Sequence, residues 1–485
     1  MTEMLGTGGL IFNEPLLWEK GKQGRSGMSV PESDVPAADV DAALLGDGPD
    51  FPDLGEVDVV RHYTRLSQWN FGVDSGLYPL GSCTMKYNPK INEKMAATPE
   101  LANAHPLLED ELVQGNLELL YELQSDLAAI TGLPGVSLQP AAGAHGELTG
   151  MLIFAAYHKS RNSKRTKILI PDTAHGTNPA SASLCGYKPV PVKSGPNGIL
   201  QASLVEELMD EETAGIMITN PNTLGLFETN IREIAEVVHA KGGLVYGDGA
   251  NMNAIMGIVD IANCGVDVLH LNLHKTFSTP HGGGGPGAGP VCVTKELARY
   301  LPVPRVEKDG DTYRLVRDYP DSVGRVHGFF GNYGVLIRAW SYIRSMGAAN
   351  LKKASQLAVL NAAYIKEQLK GTLHLAFDRP CMHECVFDDS LQEEYKITTL
   401  DIAKRLIDYG YHPPTIYFPL VVHGAIMIEP TETECLEDID QFIVAIKTIV
   451  QEAKDNPELL RQAPIRVKVR RLDETRAARQ PCLCG

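Results

Sequence analysis

The chain has 485 residues, of which 44% are hydrophobic and 21% charged, and its formal net charge is -16 at pH 7. This composition is that of a globular protein with room for a large and a small domain. The acidic charge argues against nucleic acid or an anionic membrane as the main partner, and no apolar run reaches the roughly 20 residues that span a bilayer. Nine scattered cysteines make a poor disulfide framework and favour a reducing, cytoplasmic compartment.

The hydrophobic pattern predicts five segments along the chain. They are an extended N-terminal arm (1–55), a helical segment (56–135), a large α/β domain (136–365), a small C-terminal α+β domain (366–460) and an irregular tail (461–485). The arm is rich in Pro, Gly and Asp, and such arms either wrap a neighbouring subunit or form a partly ordered leader.

Within the large domain, short apolar runs alternate with stretches of helical periodicity. The apolar runs cover residues 167–170, 215–219, 244–246, 268–271 and 291–294. This alternation is typical of βαβ units and predicts a mostly parallel sheet. Ligands of such sheets bind beyond the carboxyl ends of the strands, which is where most of the polar motifs of this chain occur.

The motif with the clearest chemistry is LNLHKTFSTPHGGGGPG at residues 271–287. It places Lys275 just past a predicted buried strand, where the charge of a lysine is normally costly. A Schiff base with an aldehyde cofactor such as pyridoxal phosphate (PLP) would remove that charge and use the lysine as a nucleophile. The glycines at 282–285 allow backbone to pass close to a bulky ligand. The alternative is a surface lysine that precedes a glycine loop.

Three other segments fit the same cofactor. Asp248 ends the predicted strand LVYGD, where a carboxylate can keep a pyridine nitrogen protonated, or simply cap a helix. Asn220 follows the strand in IMITNPN and can donate to a phenolic oxygen, although Asn-Pro is also an ordinary turn signal. Gly143 and Ala144, in QPAAGAHGE, open a helix whose free N–H groups suit a phosphate, although a tight strand–helix turn explains them equally well.

The order of these motifs resembles the aspartate-aminotransferase-like family of PLP enzymes (fold type I). The resemblance implies an α/β fold with a mostly parallel sheet of the seven-stranded type, and PLP bound in the large domain. It also implies that His175 stacks on the cofactor ring and that His175, Asp248 and Lys275 are catalytic. The residues expected to bind the cofactor are Gly143, Ala144, His175, Asn220, Asp248, Asn272, His274 and Lys275.

Further strings resemble the P-protein (glycine dehydrogenase, decarboxylating) family of the glycine cleavage system over nearly the whole chain. They are YPLGSCTMKYNP at 78–89, AHGTNPASA at 174–182, the lysine motif, YFPL at 417–420 and MIEPTE at 427–432. The chain corresponds to one half of the two-half polypeptide found in many organisms and carries the lysine, so it resembles subunit 2 of the split form. The tail around Cys482 and Cys484 matches nothing in this family.

This resemblance implies PLP-dependent decarboxylation of glycine and transfer of the aminomethyl group to the lipoyl arm of the H-protein. It also implies a homologous subunit 1 that lacks the lysine, with two copies of each subunit. Because glycine has no side chain, its carboxylate must be gripped, and the turn with Ser82, Cys83 and Thr84 offers donors for it. His274 or His281 would add charge, although His281 could simply brace the glycine loop and Cys83 could be structural.

Two alternatives stay open on the sequence alone. One is another PLP-dependent amino-acid decarboxylase or lyase of the same fold, of which serine hydroxymethyltransferase fits poorly because the string at 81–89 does not match it. The other is a non-catalytic subunit with the PLP fold, against which the joint presence of Lys275 and Asp248 argues. The Cys and His spacing predicts no metal site.

Overall fold

The computed structural model describes residues 14–29, 31–48, 50–280, 287–467 and 469–482. Helices precede the main sheet along the chain: α1 (Leu17–Lys20), α2 (Glu56–Ser67), α3 (Lys90–Ala96), α4 (Pro99–Ala102) and α5 (Gln114–Thr131). Helix α5 lies within the segment predicted to be helical (56–135). Its leucines pack in the core of the large domain, and it ends at Gly132, whose φ of 75° suits a glycine.

The large domain is built on a seven-stranded sheet with the order β1-β7-β6-β5-β4-β2-β3. Its strands are β1 (Gly135–Ser137), β2 (Lys167–Pro171), β3 (Lys188–Val192), β4 (Thr213–Thr219), β5 (Leu244–Gly249), β6 (Val268–Leu271) and β7 (Val291–Val293). Strands β6, β5, β4, β2 and β3 run parallel, while β7 pairs antiparallel with both β6 and β1. The predicted mostly parallel sheet is therefore confirmed.

Helices cover both faces of this sheet, which explains why its central strands are buried along their whole length. The helices between the strands are α6 (Gly143–Ser160), α7 (Thr177–Leu184), α8 (Ala202–Leu208), α9 (Ile231–Ala240) and α10 (Leu273–Thr276). All seven residues of β4 are buried. A short hairpin of β8 (Arg305–Asp309) and β9 (Thr312–Val316) then packs on α5.

The small domain is an antiparallel sheet covered by helices. Its strands are β10 (His374–Leu375), β11 (Cys385–Asp388), β12 (Thr415–Ile416) and β13 (Ile426–Ile428), in the order β10-β11-β13-β12. The C-terminal helices are α11 (Tyr333–Leu369), α12 (Thr399–Asp408), α13 (Leu436–Asp455), α14 (Pro457–Gln462) and α15 (Glu474–Arg479). Among the described residues, no helix is both long and apolar enough to cross a membrane.

Two segments join the large and small domains. Helix α11 bends at Gly347, and its first half packs in the core of the large domain while its second half packs in the core of the small one. Near the N-terminus, Leu77 belongs to the small-domain core and Leu80 forms a β-bridge with Ile428. These contacts bring the turn that follows Leu80 to the boundary between the domains. The division of the chain into five segments stays a prediction.

Candidate active site

Asp248 and Lys275 lie at the carboxyl ends of two neighbouring strands. Asp248 lies in β5, and Lys275 follows β6 in the short helix α10. The two strands pair in parallel, with Asp248 opposite His270, so both side chains belong to the edge of the sheet where ligands bind. Lys275 is partly buried, and its charge acts electrostatically on Asp248 and on His175.

Asp248 is only 3% exposed and is stabilised by three groups. Asn178 donates to its Oδ2 at 3.1 Å, the N–H of Ala250 donates to its Oδ1 at 2.9 Å, and His270 Nε2 lies 3.5 Å from Oδ1. Burial raises the pKa of Asp248, but His270 and the two donors outweigh it, so the pKa lies below its ordinary value. The carboxylate therefore stays ionised and can face a cationic nitrogen.

His175 follows β2 at the same edge of the sheet. Its ring is exposed, with Nδ1 2.8 Å from Thr177 Oγ1, and Phe418 meets it edge-on at a centroid distance of 5.9 Å. Groups packed around the imidazole reduce its hydration and lower the pKa of His175, which favours the neutral ring. A neutral, exposed ring is suited to stacking on a flat ligand.

Glu147 of α6 is buried beside Asp248, although the sequence did not suggest a role for it. It is 3% exposed, Thr177 Oγ1 lies 2.8 Å from its Oε1, and Ser181 Oγ lies 3.3 Å from its Oε2. Burial, together with the negative charge of Asp248, raises the pKa of Glu147 to about 7. Two neighbouring carboxyl groups thus differ in protonation, because Asp248 has His270 and two N–H donors beside it, whereas Glu147 is buried next to the negative charge of Asp248.

The N-terminus of α6 forms a glycine-lined cradle next to the lysine. The backbone of Ala142 is extended and the first turn, with Gly143 and Ala144, has no side-chain cap. A Cβ on Gly143 would lie 2.6 Å from Asn272 Oδ1, and a Cβ on Gly289 would lie 2.0 Å from the carbonyl oxygen of Ala142. Only glycine allows this close approach, which leaves the backbone N–H groups of an eighteen-residue helix available to an anion.

The other predicted cofactor ligands surround this edge of the sheet. Asn220 Oδ1 accepts a hydrogen bond from the N–H of Glu228 at 3.0 Å, which leaves its NH2 group as the donor toward a ligand. Asn272 is 6% exposed, and its Oδ1 has no hydrogen-bond partner among the described residues. His274 Nδ1 accepts from the N–H of Ala288 at 3.3 Å. His281, the glycines at 282–285 and Cys484 lie outside the described residues.

The turn predicted to hold the substrate carboxylate is itself held by two buried glutamates. The N–H of Ser82 donates to Glu384 at 2.8 Å, and the N–H and hydroxyl of Thr84 donate to Glu429 at 3.0 and 2.6 Å. The φ of Ser82 is 64° and that of Thr84 is 49°, a strained conformation for a β-branched residue. Burial raises the pKa of Cys83, which keeps its thiol neutral. Because these donors already have acceptors, the binding of a substrate carboxylate here stays a prediction.

His383, Glu384 and Glu429 extend from the small domain toward Lys275, whose charge acts on all three. Each is 0% exposed. Burial lowers the pKa of His383 to about 3, and burial also raises the pKa of Glu384 well above its ordinary range. A neutral imidazole and a protonated carboxyl therefore line the side of the site that faces the small domain.

Sequence reasoning missed most of these supporting residues. Glu147 and Glu429 lie inside strings that it singled out, and their acidic side chains within otherwise small or apolar strings were the available signal. His383 and Glu384 have no local signal, because Glu384 contacts a residue 302 positions away along the chain.

The described residues fit PLP on three observations. The cradle at α6 would be closed by any Cβ on Gly143 or Gly289. Buried polar atoms around Lys275 have no partner among the described residues: Asn178 Oδ1, Asn272 Oδ1, Thr276 Oγ1 and Thr279 Oγ1. The donor set also matches the cofactor, since an amine suits its aldehyde, an ionised carboxylate its pyridinium and a helix N-terminus its phosphate.

The chain matches two family models. Residues 49–314 match the glycine cleavage system P-protein, and residues 354–463 match the C-terminal domain of glycine dehydrogenase. A relative from Caldanaerobacter subterraneus, named as a probable glycine dehydrogenase (decarboxylating) subunit 2, is 56% identical over 96% of this chain and 98% of its own. A relative of the same name from Listeria innocua is 54% identical over 97% of both chains.

Solved structures agree on the fold. The glycine decarboxylase (P-protein) of the glycine cleavage system, in inhibitor-bound form, matches with a TM-score of 0.71 at 20% identity, over 84% of this chain and 93% of that one. A cysteine desulfurase from Escherichia coli matches with a TM-score of 0.60 at 14% identity, over 78% of this chain and 95% of that one. These likenesses confirm the predicted α/β fold of type I PLP enzymes. With the family match over more than half of its length, the chain belongs to the P-protein family of the glycine cleavage system.

Proposed function

We propose that this chain is the PLP-carrying subunit of a glycine dehydrogenase (decarboxylating). The observation that carries the proposal is the pair formed by Lys275 and the ionised Asp248 at the ends of neighbouring parallel strands, next to the free N-terminus of α6. The names of its relatives support glycine as the substrate. The reaction removes CO2 from glycine and passes the aminomethyl group to the lipoyl arm of an H-protein.

Each predicted ligand has a defined task in this reaction. PLP, when bound, supplies an aldehyde for a covalent bond with an amine and a ring that accepts the electron pair left by the departing CO2. Lys275 would hold the cofactor through its side-chain amine. Asp248 keeps a proton on the pyridine nitrogen, since an ion pair in a shielded pocket is worth several kcal/mol even at moderate effective dielectric. His175 would contact the ring, and Gly143 and Ala144 would bind the phosphate.

The remaining predicted residues orient the cofactor and the substrate. The NH2 group of Asn220 would donate a hydrogen bond to the phenolic oxygen. Its Oδ1 already accepts from a backbone N–H, which leaves the NH2 group as the donor. Asn272 and His274 line the cofactor beside the lysine. Glycine needs only a small space, and the strained turn at Ser82 and Thr84 bounds that space on the small-domain side.

A second subunit completes the enzyme. The relatives are named subunit 2, which supports the existence of another subunit. We propose that this subunit is a homologue that lacks the lysine, and that two copies of each subunit assemble in the cytoplasm. The N-terminal region exposes large apolar side chains, among them Leu44, Phe51, Val57, Val60 and Tyr63. A cavity of about 450 Å³ lies between α4, α5 and the start of α11. Such surfaces are typical of a subunit interface.

The decisive experiment is the exchange of labelled CO2 into the carboxyl group of glycine. It is measured for this chain alone, for the chain with the candidate partner, and for both with lipoylated H-protein. We expect exchange only with the partner present and a strong increase with H-protein. Exchange with a different amino acid in place of glycine would contradict the proposed substrate, and full exchange by this chain alone would contradict the need for the partner.

The cofactor link is tested by reduction with borohydride, followed by peptide mapping. We expect reduced PLP on Lys275, and we expect Lys275→Ala to lose both the label and CO2 exchange. Lys295→Ala is the matched control, because Lys295 also follows a strand of the same sheet but is exposed. Undiminished turnover in Lys275→Ala would overturn the assignment.

A further inference from the structure

A chain of hydrogen bonds connects the buried Glu147 with the exposed His175. Glu147 Oε1 lies 2.8 Å from Thr177 Oγ1, and Thr177 Oγ1 lies 2.8 Å from His175 Nδ1. The backbone N–H of Thr177 also donates to His175 Nδ1, at 3.3 Å. One threonine thus connects a carboxyl group beneath the site with the ring proposed to cover the cofactor.

The hydrogens in this chain permit two arrangements, because Ser181 Oγ donates to Glu147 Oε2 at 3.3 Å and a proton on Glu147 is therefore carried by Oε1. The hydroxyl of Thr177 has one hydrogen and can donate to only one of its two neighbours. If Glu147 is ionised, the hydroxyl donates to the carboxylate, and His175 must donate to the hydroxyl from a protonated Nδ1. If Glu147 is protonated, it donates to the hydroxyl, the hydroxyl donates to Nδ1, and the proton of His175 is on Nε2. The second arrangement holds one proton more than the first.

The geometry favours the protonated form of Glu147. The N–H of Thr177 can donate to Nδ1 only when Nδ1 carries no proton, which is true of the second arrangement alone. Burial, together with the charge of Asp248, raises the pKa of Glu147 to about 7, so both arrangements are accessible near neutral pH.

We propose that Glu147 is a positioning residue that determines, through the Thr177 hydroxyl, which ring nitrogen of His175 carries the proton. The proposal rests on the proposed function, in which His175 faces the cofactor. When Glu147 is protonated, His175 presents an N–H at Nε2; when Glu147 loses its proton, Nε2 becomes a hydrogen-bond acceptor. Nε2 of His175 would thus change from a hydrogen-bond donor to an acceptor at the surface of the site.

The charged groups around Glu147 determine the direction of the pH dependence. The groups that face it are His175, Tyr246, Asp248, His270 and Lys275. The charge of Asp248 opposes ionisation of Glu147 and that of Lys275 favours it. As the pH rises through about 7, Glu147 loses its proton and the proton of His175 moves from Nε2 to Nδ1.

The test is nitrogen NMR of the full chain labelled with ¹⁵N-histidine, recorded without cofactor across the pH range in which histidine and Glu147 titrate. The resonances of His175 are assigned by their loss in His175→Asn. In the wild type we expect a change from the Nε2–H to the Nδ1–H tautomer with a midpoint near pH 7. We expect Glu147→Gln, which cannot titrate, and Thr177→Val, which lacks the hydroxyl, to abolish this step.

Two further variants separate the relay from a general structural effect. Thr177→Ser keeps the hydroxyl and should restore the step. Ser181→Ala removes the other contact of the Glu147 carboxyl, at Oε2, and should keep the step. A tautomer ratio of the wild type that does not change near pH 7, or a step that persists in both Glu147→Gln and Thr177→Val, would overturn the proposal.

A second readout is the absorption spectrum of the PLP-loaded chain as a function of pH. Because His175 would contact the bound ring, we expect the wild-type spectrum to change with a midpoint near pH 7, and we expect this change to be absent in Glu147→Gln and present in Ser181→Ala. A spectral change that is the same in Glu147→Gln as in the wild type would contradict the proposal. The NMR series needs no cofactor, so a failure of PLP to bind would contradict the proposed function and still leave the tautomer result decisive.

Discussion

Asp248 keeps its charge in the interior because donors and a histidine surround its carboxylate, while the pKa of Glu147 beside it is raised to about 7. The two side chains show how position alone separates the roles of chemically similar groups. Asp248 accepts from Asn178 and Ala250 and faces His270. Among the described residues, the carboxyl group of Glu147 has two hydroxyl groups as hydrogen-bond partners and lies against the negative charge of Asp248. An ionised partner for the cofactor and a titratable neighbour therefore occur within one small cluster.

This arrangement makes Asp248→Asn a sharp test of the ring partner. An amide has nearly the same shape but no charge to hold a proton on the pyridine nitrogen, so we expect PLP to remain bound. We expect glycine decarboxylation to fall about 1,000-fold, which corresponds to roughly 4 kcal/mol of barrier. Asp172→Asn is the matched control, because Asp172 also follows a strand of the sheet but is exposed. Near-normal turnover in Asp248→Asn would show that another group keeps the pyridine nitrogen protonated.

At the scale of single elements, the close packing of the segment before β7 against the start of α6 determines whether an anion can reach the helix N-terminus. We expect Gly289→Ala to displace the first turn of α6, because its Cβ would lie 2.0 Å from a backbone oxygen of Ala142 that has little freedom to move. The expected result is an affinity for PLP at least tenfold weaker, or about 1.4 kcal/mol. It is measured by titrating PLP into the cofactor-free chain and following its absorption.

The control for this substitution is Gly115→Ala. Gly115 lies in the first turn of α5, and a Cβ added there would meet no atom within 4 Å beyond the backbone of its own helix. The substitution should leave PLP binding unchanged and alter stability by less than roughly 1 kcal/mol. Equal affinities in the two variants would mean that the cradle at Gly289 does not hold the phosphate.

The same elements show how far the sequence alone could lead. The strands from 167 to 293 that carry long apolar runs were predicted, because burial on both faces leaves a strong local pattern. Strand β1 has only three residues, and β3 contains two prolines and is largely unburied, so neither stands out in the sequence. The pairing of Ser82 with Glu384 and of Thr84 with Glu429 was beyond prediction, since residues more than 300 positions apart leave no local periodicity.

The whole molecule assembles its site from three regions that are distant along the chain. The large domain supplies Asp248 and Lys275, the small domain supplies Glu384 and Glu429, and the N-terminal turn joins them. Helix α11 runs through both cores and couples the two domains mechanically.

The exposed apolar face of helix α2 is the part of the proposed subunit interface that can be tested by substitution. Val57, Val60 and Tyr63 are 57%, 56% and 57% exposed, and their spacing of three residues places them on one face of the helix. Burying a valine against a partner contributes about 1.5–3 kcal/mol, and a buried unpaired carboxylate costs more, so we expect Val60→Glu to weaken pairing at least tenfold. Val444→Glu is the matched control, since Val444 is 61% exposed on α13 of the small domain.

Pairing is measured by size-exclusion chromatography with light scattering on mixtures of this chain and the lysine-lacking homologue. We expect the wild type and Val444→Glu to form the complex at concentrations where Val60→Glu stays separate. We also expect CO2 exchange by Val60→Glu to recover when the partner is added in excess, because the substitution lies on α2 and leaves Lys275 and Asp248 intact. Undisturbed pairing of Val60→Glu would exclude this face of α2 from the interface. Self-association of the wild type through this face would instead identify a second copy of the chain as its occupant.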